Sequence, residues 1–261
     1  MRDIVHFAHG NGFPSGSYRQ LLNALQVRFD CFTVDRLGHN PQFPVTDNWP
    51  FLVHEIIDSI KGIGTKPVIG IGHSLGGVLT LLAAIEDPSL FKAVIMIDSP
   101  LLNRFKSSVV SMAKKMNFID HITPANKARG RRKHWATQSE LSNYLKTRPL
   151  FETFDEACLN DYIEFGFEKN QEGYTLRFDP DVEYHIFRTL PHQLNQYEGQ
   201  LKTPTAIIYG QQSKIVMAAD VRYMQKKYAI KAFSLPGTHM LPMEHPQQLA
   251  RQIFSALDAI I

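Results

Sequence analysis

The chain has 261 residues and is 44% apolar, enough to bury a full-sized core, which excludes a fibrous or disordered polypeptide and predicts one globular body. Its 28 Lys and Arg nearly balance 25 Asp and Glu, so charge gives little support to a nucleic-acid or general membrane role. Cys31 and Cys158 lie far apart without metal-type spacing, which argues against a disulfide framework, indicates no metal site and fits a reducing compartment.

The sequence opens MRDIVHFAHG, without a basic-then-apolar leader, and no apolar run approaches the about 18 residues a membrane span needs. A soluble, cytoplasmic protein without a membrane span is the expectation. Short β-branched or apolar runs at 4–8, 31–34, 67–71, 93–97, 205–209 and 232–235 predict strands covered on both faces. Between them, 18–27 sets Leu21, Leu22 and Leu25 on one helical side, 49–60 does so with Leu52, Val53, Ile56, Ile57 and Ile60, and 247–260 with Leu249, Ile253, Phe254 and Leu257. Residues 78–85 read as a further helix. This alternation predicts an α/β fold: a parallel sheet with helices on both faces and reactive groups on loops beyond the strands' carboxyl ends.

From Ser99 to about Thr203 the alternation stops. Polar, aromatic-dotted, helix-like segments punctuated by Pro124, Pro149, Pro180 and Pro191 predict a mainly helical cap of residues 99–203 over the sheet edge, inserted into a core of 1–98 and 204–261. Its aromatic and methionine side chains supply both a cap core and pocket walls. Nine Lys and Arg fall between Arg104 and Lys133 against the single acid Asp120, which reads as a solvated face or as attraction for anionic substrates or surfaces.

Gly72-His73-Ser74-Leu75-Gly76 matches G-x-S-x-G between a predicted strand and a predicted helix. In that setting the serine occupies a tight, strained turn, and small residues two positions away relieve contacts with the neighbouring strand and helix. The same pattern also suits a tightly packed turn or a phosphate-binding turn. Two further stretches favour the reactive serine. Phe7-Ala8-His9-Gly10-Asn11-Gly12-Phe13-Pro14 follows the first strand, and Pro236-Gly237-Thr238-His239-Met240-Leu241-Pro242 follows the last.

With these three stretches the sequence resembles the α/β-hydrolase family over nearly all of the chain outside the insertion. Val34-Asp35-Arg36-Leu37-Gly38-His39 and Met243-Glu244-His245-Pro246 are weaker matches. The resemblance implies Ser74 as nucleophile, His239 as base, and the amides of Asn11 and Leu75 as the oxyanion hole. His73 reads as a packing residue and His9 as a brace for its loop. The chain begins almost at the first parallel strand, so a six-stranded parallel sheet is expected in place of the family's longer one.

The resemblance also raises a difficulty. The family's usual acid follows the penultimate strand, where this chain has Gly210-Gln211-Gln212-Ser213-Lys214, with Ser213 at the acidic position. Asp98, at the end of the strand before the insertion, is the alternative; haloalkane dehalogenases take their acid from that strand and carry a His-Gly-Asn loop like His9-Gly10-Asn11. Competitors are Asp220 and a dyad in which Ser213 or a carbonyl orients His239. The implied activity is a serine hydrolase acting on small or medium carboxylic esters, without cofactor. Thioester or carbon–carbon bond hydrolysis on the same site is the runner-up, and a non-catalytic ligand receptor or scaffold the alternative from another class.

Overall fold

The computed structural model describes residues 2–261. In chain order, β1 (Asp3–Ala8), α1 (Arg19–Leu25), β2 (Phe29–Thr33), α2 (Pro50–Ile63), β3 (Val68–His73), α3 (Leu75–Glu86) and β4 (Phe91–Ile97) form the first part. There follow α4 (Arg104–Lys115), α5 (Ile119–Ile122), α6 (Ala125–Arg129), β5 (His134–Trp135), α7 (Gln138–Lys146), α8 (Glu156–Gly166), β6 (Phe167–Asn170), β7 (Gly173–Leu176) and α9 (Pro180–Arg188). The chain then returns to the main sheet with β8 (Thr205–Gly210), α10 (Ala218–Tyr228), β9 (Lys231–Leu235), α11 (Leu241–Glu244) and α12 (Pro246–Ile260).

The main sheet has six strands, all parallel, in the order β2-β1-β3-β4-β8-β9. The apolar runs of the inner strands are explained by burial on both faces, whereas β2 and β9, expected to be covered likewise, are edge strands with partly exposed residues, Phe32 among them. In β4, Ala93, Ile95 and Ile97 join the cluster formed with α1 and α12, whereas Val94 and Met96 join the one formed with α2, α3 and α10. Because β1 and β3 are neighbours whose following segments run to opposite sides of the sheet, a crevice opens at their carboxyl ends. The loops after β1, β3, β4, β8 and β9 all rise from that same edge.

The segment between β4 and β8 is mainly helical but also holds a three-stranded antiparallel sheet, β5-β7-β6, that the sequence reading did not anticipate. The strands are only two to four residues long, too short to show alternation, and β6 and β7 are joined by a tight turn ending at Gly173. Trp135, Phe151, Tyr162 and Phe167 of this segment merge with Val5, Phe7 and Phe13 into one buried cluster. The insertion therefore shares its apolar packing with the main sheet.

Candidate active site

Ser74 lies between β3 and α3 at φ 52°, ψ −115°, a conformation that a non-glycine residue holds only when its surroundings enforce it. Its amide bonds Ile97 O at 2.9 Å, and its carbonyl accepts the first helical bond from Val78 N at 3.3 Å. A methyl group on Gly72 would overlap the Gly76 carbonyl, and one on Gly76 would overlap the Ala8 and His9 carbonyls. The two glycines thus let α3 press against its own strand and against the loop after β1. That compression sets the Leu75 amide, at the first turn of α3 and so without a helical carbonyl partner, beside the His9-Gly10-Asn11 loop. Asn11 itself is tied to the insertion, its side-chain amide donating to Glu183 O at 3.1 Å. Glu183 in turn accepts from Arg131 at 2.6 Å, so an ion pair of the inserted segment sits against Gly12.

His239 follows β9. Its Nδ1 lies 2.8 Å from Asp98 Oδ1, and since a carboxylate only accepts, the ring donates there and leaves Nε2 free to accept. Asp98 is fully buried at the end of β4 with φ 41°, a second strained residue. Three donors offset the cost of burying its charge: His239 Nδ1, Ser213 Oγ at 2.7 Å on Oδ1, and Gly210 N at 2.8 Å on Oδ2. Ser213, at the position where relatives carry an acid, donates to Asp98 rather than to His239. Its hydroxyl oxygen accepts from Ile215 N and Val216 N, both at 3.1 Å, which fixes the donor direction.

Asp220 is also fully buried but faces elsewhere, taking Lys106 Nζ at 2.7 and 2.8 Å and the Met217 amide at 3.0 Å at the start of α10. It holds a lysine and a helix end, and His239 is not among its partners. Glu244 anchors the histidine loop by accepting from Thr238 N at 2.7 Å and Thr238 Oγ1 at 2.6 Å. Asp35 pairs with Arg177 at 2.8 Å.

His73, read from the sequence as a packing residue, and Tyr18, which there only opens a helical stretch, carry hydrogen bonds across the site. His73 Nε2 lies 2.9 Å from the His239 carbonyl, which can only accept, so the proton is on Nε2 and Nδ1 accepts from the Tyr18 hydroxyl at 2.8 Å. Tyr18 Oη accepts in turn from Gly10 N at 2.9 Å. Burial pushes the His73 imidazole well below its ordinary pKa and the Tyr18 phenol well above its own, so both links stay uncharged. The chain Gly10–Tyr18–His73–His239 joins the β1 loop, the residue before Ser74 and the histidine loop. His73 and His239 rings also sit 4.9 Å apart, which brings the imidazole alongside the serine turn. Tyr18 gave no sequence signal beyond its place at the edge of an apolar helix face. His9 braces its own loop: Nε2 accepts from Leu37 N at 2.7 Å, Nδ1 donates to Gly10 O, and burial lowers its pKa to about 4.

Among the described residues the Ser74 hydroxyl makes no hydrogen bond. It is half-buried, as is His239, while Asp98 beneath them is closed to solvent. A hydroxyl, an imidazole with a free Nε2, a buried carboxylate and the first-turn amide of α3 at one sheet edge form a set able to add an oxygen nucleophile to a carbonyl.

Comparison with known proteins agrees with this class. A model of the alpha/beta hydrolase family matches residues 7–252, and the chain belongs to that family. A monoglyceride lipase homolog of Monkeypox virus is 32% identical over 108 residues, 38% of this chain and only 39% of the viral protein's own length. The uncharacterized hydrolase YugF of Bacillus subtilis is 22% identical over 97% of this chain and 89% of its own. Among solved structures, E-2-(acetamidomethylene)succinate hydrolase superimposes with a TM-score of 0.79 at 20% identity, covering 98% of this chain and 91% of that one, a likeness of fold.

Proposed function

We propose that the protein is a serine hydrolase of carboxylic esters, with Ser74 as nucleophile, His239 as base, Asp98 as the acid and the Asn11 and Leu75 amides as oxyanion donors. The observation that carries this reading is the 2.8 Å contact between His239 Nδ1 and Asp98, which presents Nε2 beside the strained Ser74 turn. His239 Nε2 takes the hydroxyl proton as Ser74 Oγ bonds to the ester carbon. The carbonyl oxygen becomes the oxyanion held by the two amides, and Asp98 stabilises the imidazolium. Collapse breaks the carbon–alkoxy bond, Nε2–H protonates the departing alkoxide, and water repeats the sequence on the acyl-enzyme. In this reading the Ser74–His239 hydrogen bond forms when substrate is bound.

The inserted residues 99–203 are the cap in this reading, and Glu183 and Arg131 reach the oxyanion loop from it. The partial relative named a monoglyceride lipase homolog favours an acyl ester over other carbonyl substrates. A panel of p-nitrophenyl esters and acyl thioesters of increasing length, together with a fluorophosphonate probe, tests the proposal. Wild type is expected to turn over esters and to label once, and Ser74→Ala to do neither. Labelling retained in Ser74→Ala, or ligand binding without turnover of any ester or thioester, overturns it.

A further inference from the structure

Thirteen large apolar side chains stand exposed among the described residues, and six of them fall between 105 and 122. Phe105, Val109, Met112 and Met116 recur at spacings of four, three and four, which aligns them in one stripe along α4 and its C-cap. Phe105 is 78% exposed and Met116 70%. The opposite side of α4 is already used, with Val110 and Ala113 buried against Ile119, Leu102 and Leu190. Phe118 and Ile122 extend the apolar surface beyond the helix, and Ile215 and Met217 stand exposed on the loop that also carries Ser213. The Lys106–Asp220 pair clamps the start of α10 to α4.

Charge distinguishes this face from an ordinary apolar patch. Of the nine cations between 104 and 133, six meet carboxylates: Arg104 with Glu198, Lys106 with Asp220, Lys114 with Asp47, Arg131 with Glu183, Arg132 with Glu140 and Lys133 with Asp181. Lys115, Lys127 and Arg129 are exposed and have no carboxylate partner among the described residues. The one acid of the stretch, Asp120, is occupied by Arg188 at 3.0 Å and by the Tyr184 hydroxyl at 2.9 Å. Along one flank of the stripe opens a groove of about 480 Å³, lined in part by Arg104, Ser108, Ser111, Lys115, His192 and Asn195. Lys114 donates to His192 Nδ1, which leaves the ring proton on Nε2 as a further donor there.

We propose that the face formed by α4, α5 and α6 docks on an anionic lipid bilayer. The stripe from Phe105 to Met116 and Phe118 would enter the boundary between headgroups and acyl chains, while Lys115, Lys127 and Arg129 meet the phosphates. A second copy of the chain fits this face less well, because a two-fold contact would oppose unpaired cations to the same cations with no free carboxylate between them. An acidic peptide fits less well too, since the stripe is a ridge with its largest side chains standing out. The inference does not depend on ester chemistry. It adds a surface to a protein in which, among the described residues, no helix is long and apolar enough to cross a membrane.

Co-sedimentation with vesicles of ether-linked phosphatidylcholine, with and without about 30% ether-linked phosphatidylglycerol, reads the docking without any cleavable bond. Wild type is expected to bind the anionic vesicles and to lose binding as salt rises. Replacing three cations (Lys115→Gln, Lys127→Gln, Arg129→Gln) is expected to weaken it about a hundredfold, at about fivefold per cation. Phe105→Ser with Met112→Ser and Met116→Ser is expected to abolish binding to both vesicle types. All six positions are exposed, and unchanged turnover of a soluble p-nitrophenyl ester, or unchanged circular dichroism if no ester is cleaved, certifies the fold. Equal binding to neutral and anionic vesicles, variants that bind like wild type, or sedimentation equilibrium showing a dimer that the serine variant dissolves would each overturn the proposal.

Discussion

Two aspartates in this molecule are equally closed to solvent, one at the end of β4 and one in the first turn of α10, and they differ in what meets them. Asp220 receives a full cation, Lys106, and a backbone amide, so its charge is spent on holding α10 to α4. Asp98 receives a hydroxyl, an amide and an imidazole, all of them able to be neutral. In the proposed mechanism its charge is available to the imidazolium that forms at His239. Burial alone therefore does not mark a reactive carboxylate; the charge state of its donors does.

Substitutions at four positions break or sharpen that contrast. Asp98→Asn keeps the side-chain volume but cannot stabilise an imidazolium, and kcat is expected to fall by about 10,000-fold with the fold intact, measured by steady-state turnover of the best ester. Lys106→Met, on the other side, leaves Asp220 buried without its cation; denaturant unfolding should show a loss of about 2 kcal/mol, after discounting the partly exposed lysine, with kcat unchanged. Ser213→Ala removes one of the three donors to Asp98, and kcat should drop about tenfold with KM little altered, while Ser213→Thr restores it. Asp220→Asn has the smallest effect, a stability loss of about 1 kcal/mol and turnover within about threefold of wild type. A turnover collapse in Asp220→Asn with activity kept in Asp98→Asn would reverse the contrast.

The main sheet was readable because its inner strands are apolar runs between turn-forming residues; side chains alternate across any strand, and Val94 and Met96 are as apolar as Ile95 and Ile97 because helices cover both sides. The serine turn was equally readable, since Gly72 and Gly76 are demanded by contacts that a strand–turn–helix passage makes predictable. The β5-β7-β6 sheet was not, because two to four residues carry no period. Asp98 stood among several candidates at the sequence level; the contacts of Lys106 with Asp220 and of His239 with Asp98 span 114 and 141 residues, which no local pattern announces. Tyr18 and His73 escaped because a fully buried tyrosine or histidine next to leucines and glycines looks like filling, and their polar atoms find partners 8, 55 and 166 residues away.

The series running from Gly10 through Tyr18 and His73 to the His239 carbonyl has a consequence for transplanting parts between relatives. Stretches that look like independent modules, the first loop, the serine turn and the last loop, are coupled through shared protons, each link deciding which way the next one donates. A chimera that imports residues 9–18 from a protein lacking a phenol at position 18 would inherit a misdirected ring at 73 and a slackened final loop. The practical unit of exchange is the whole relay.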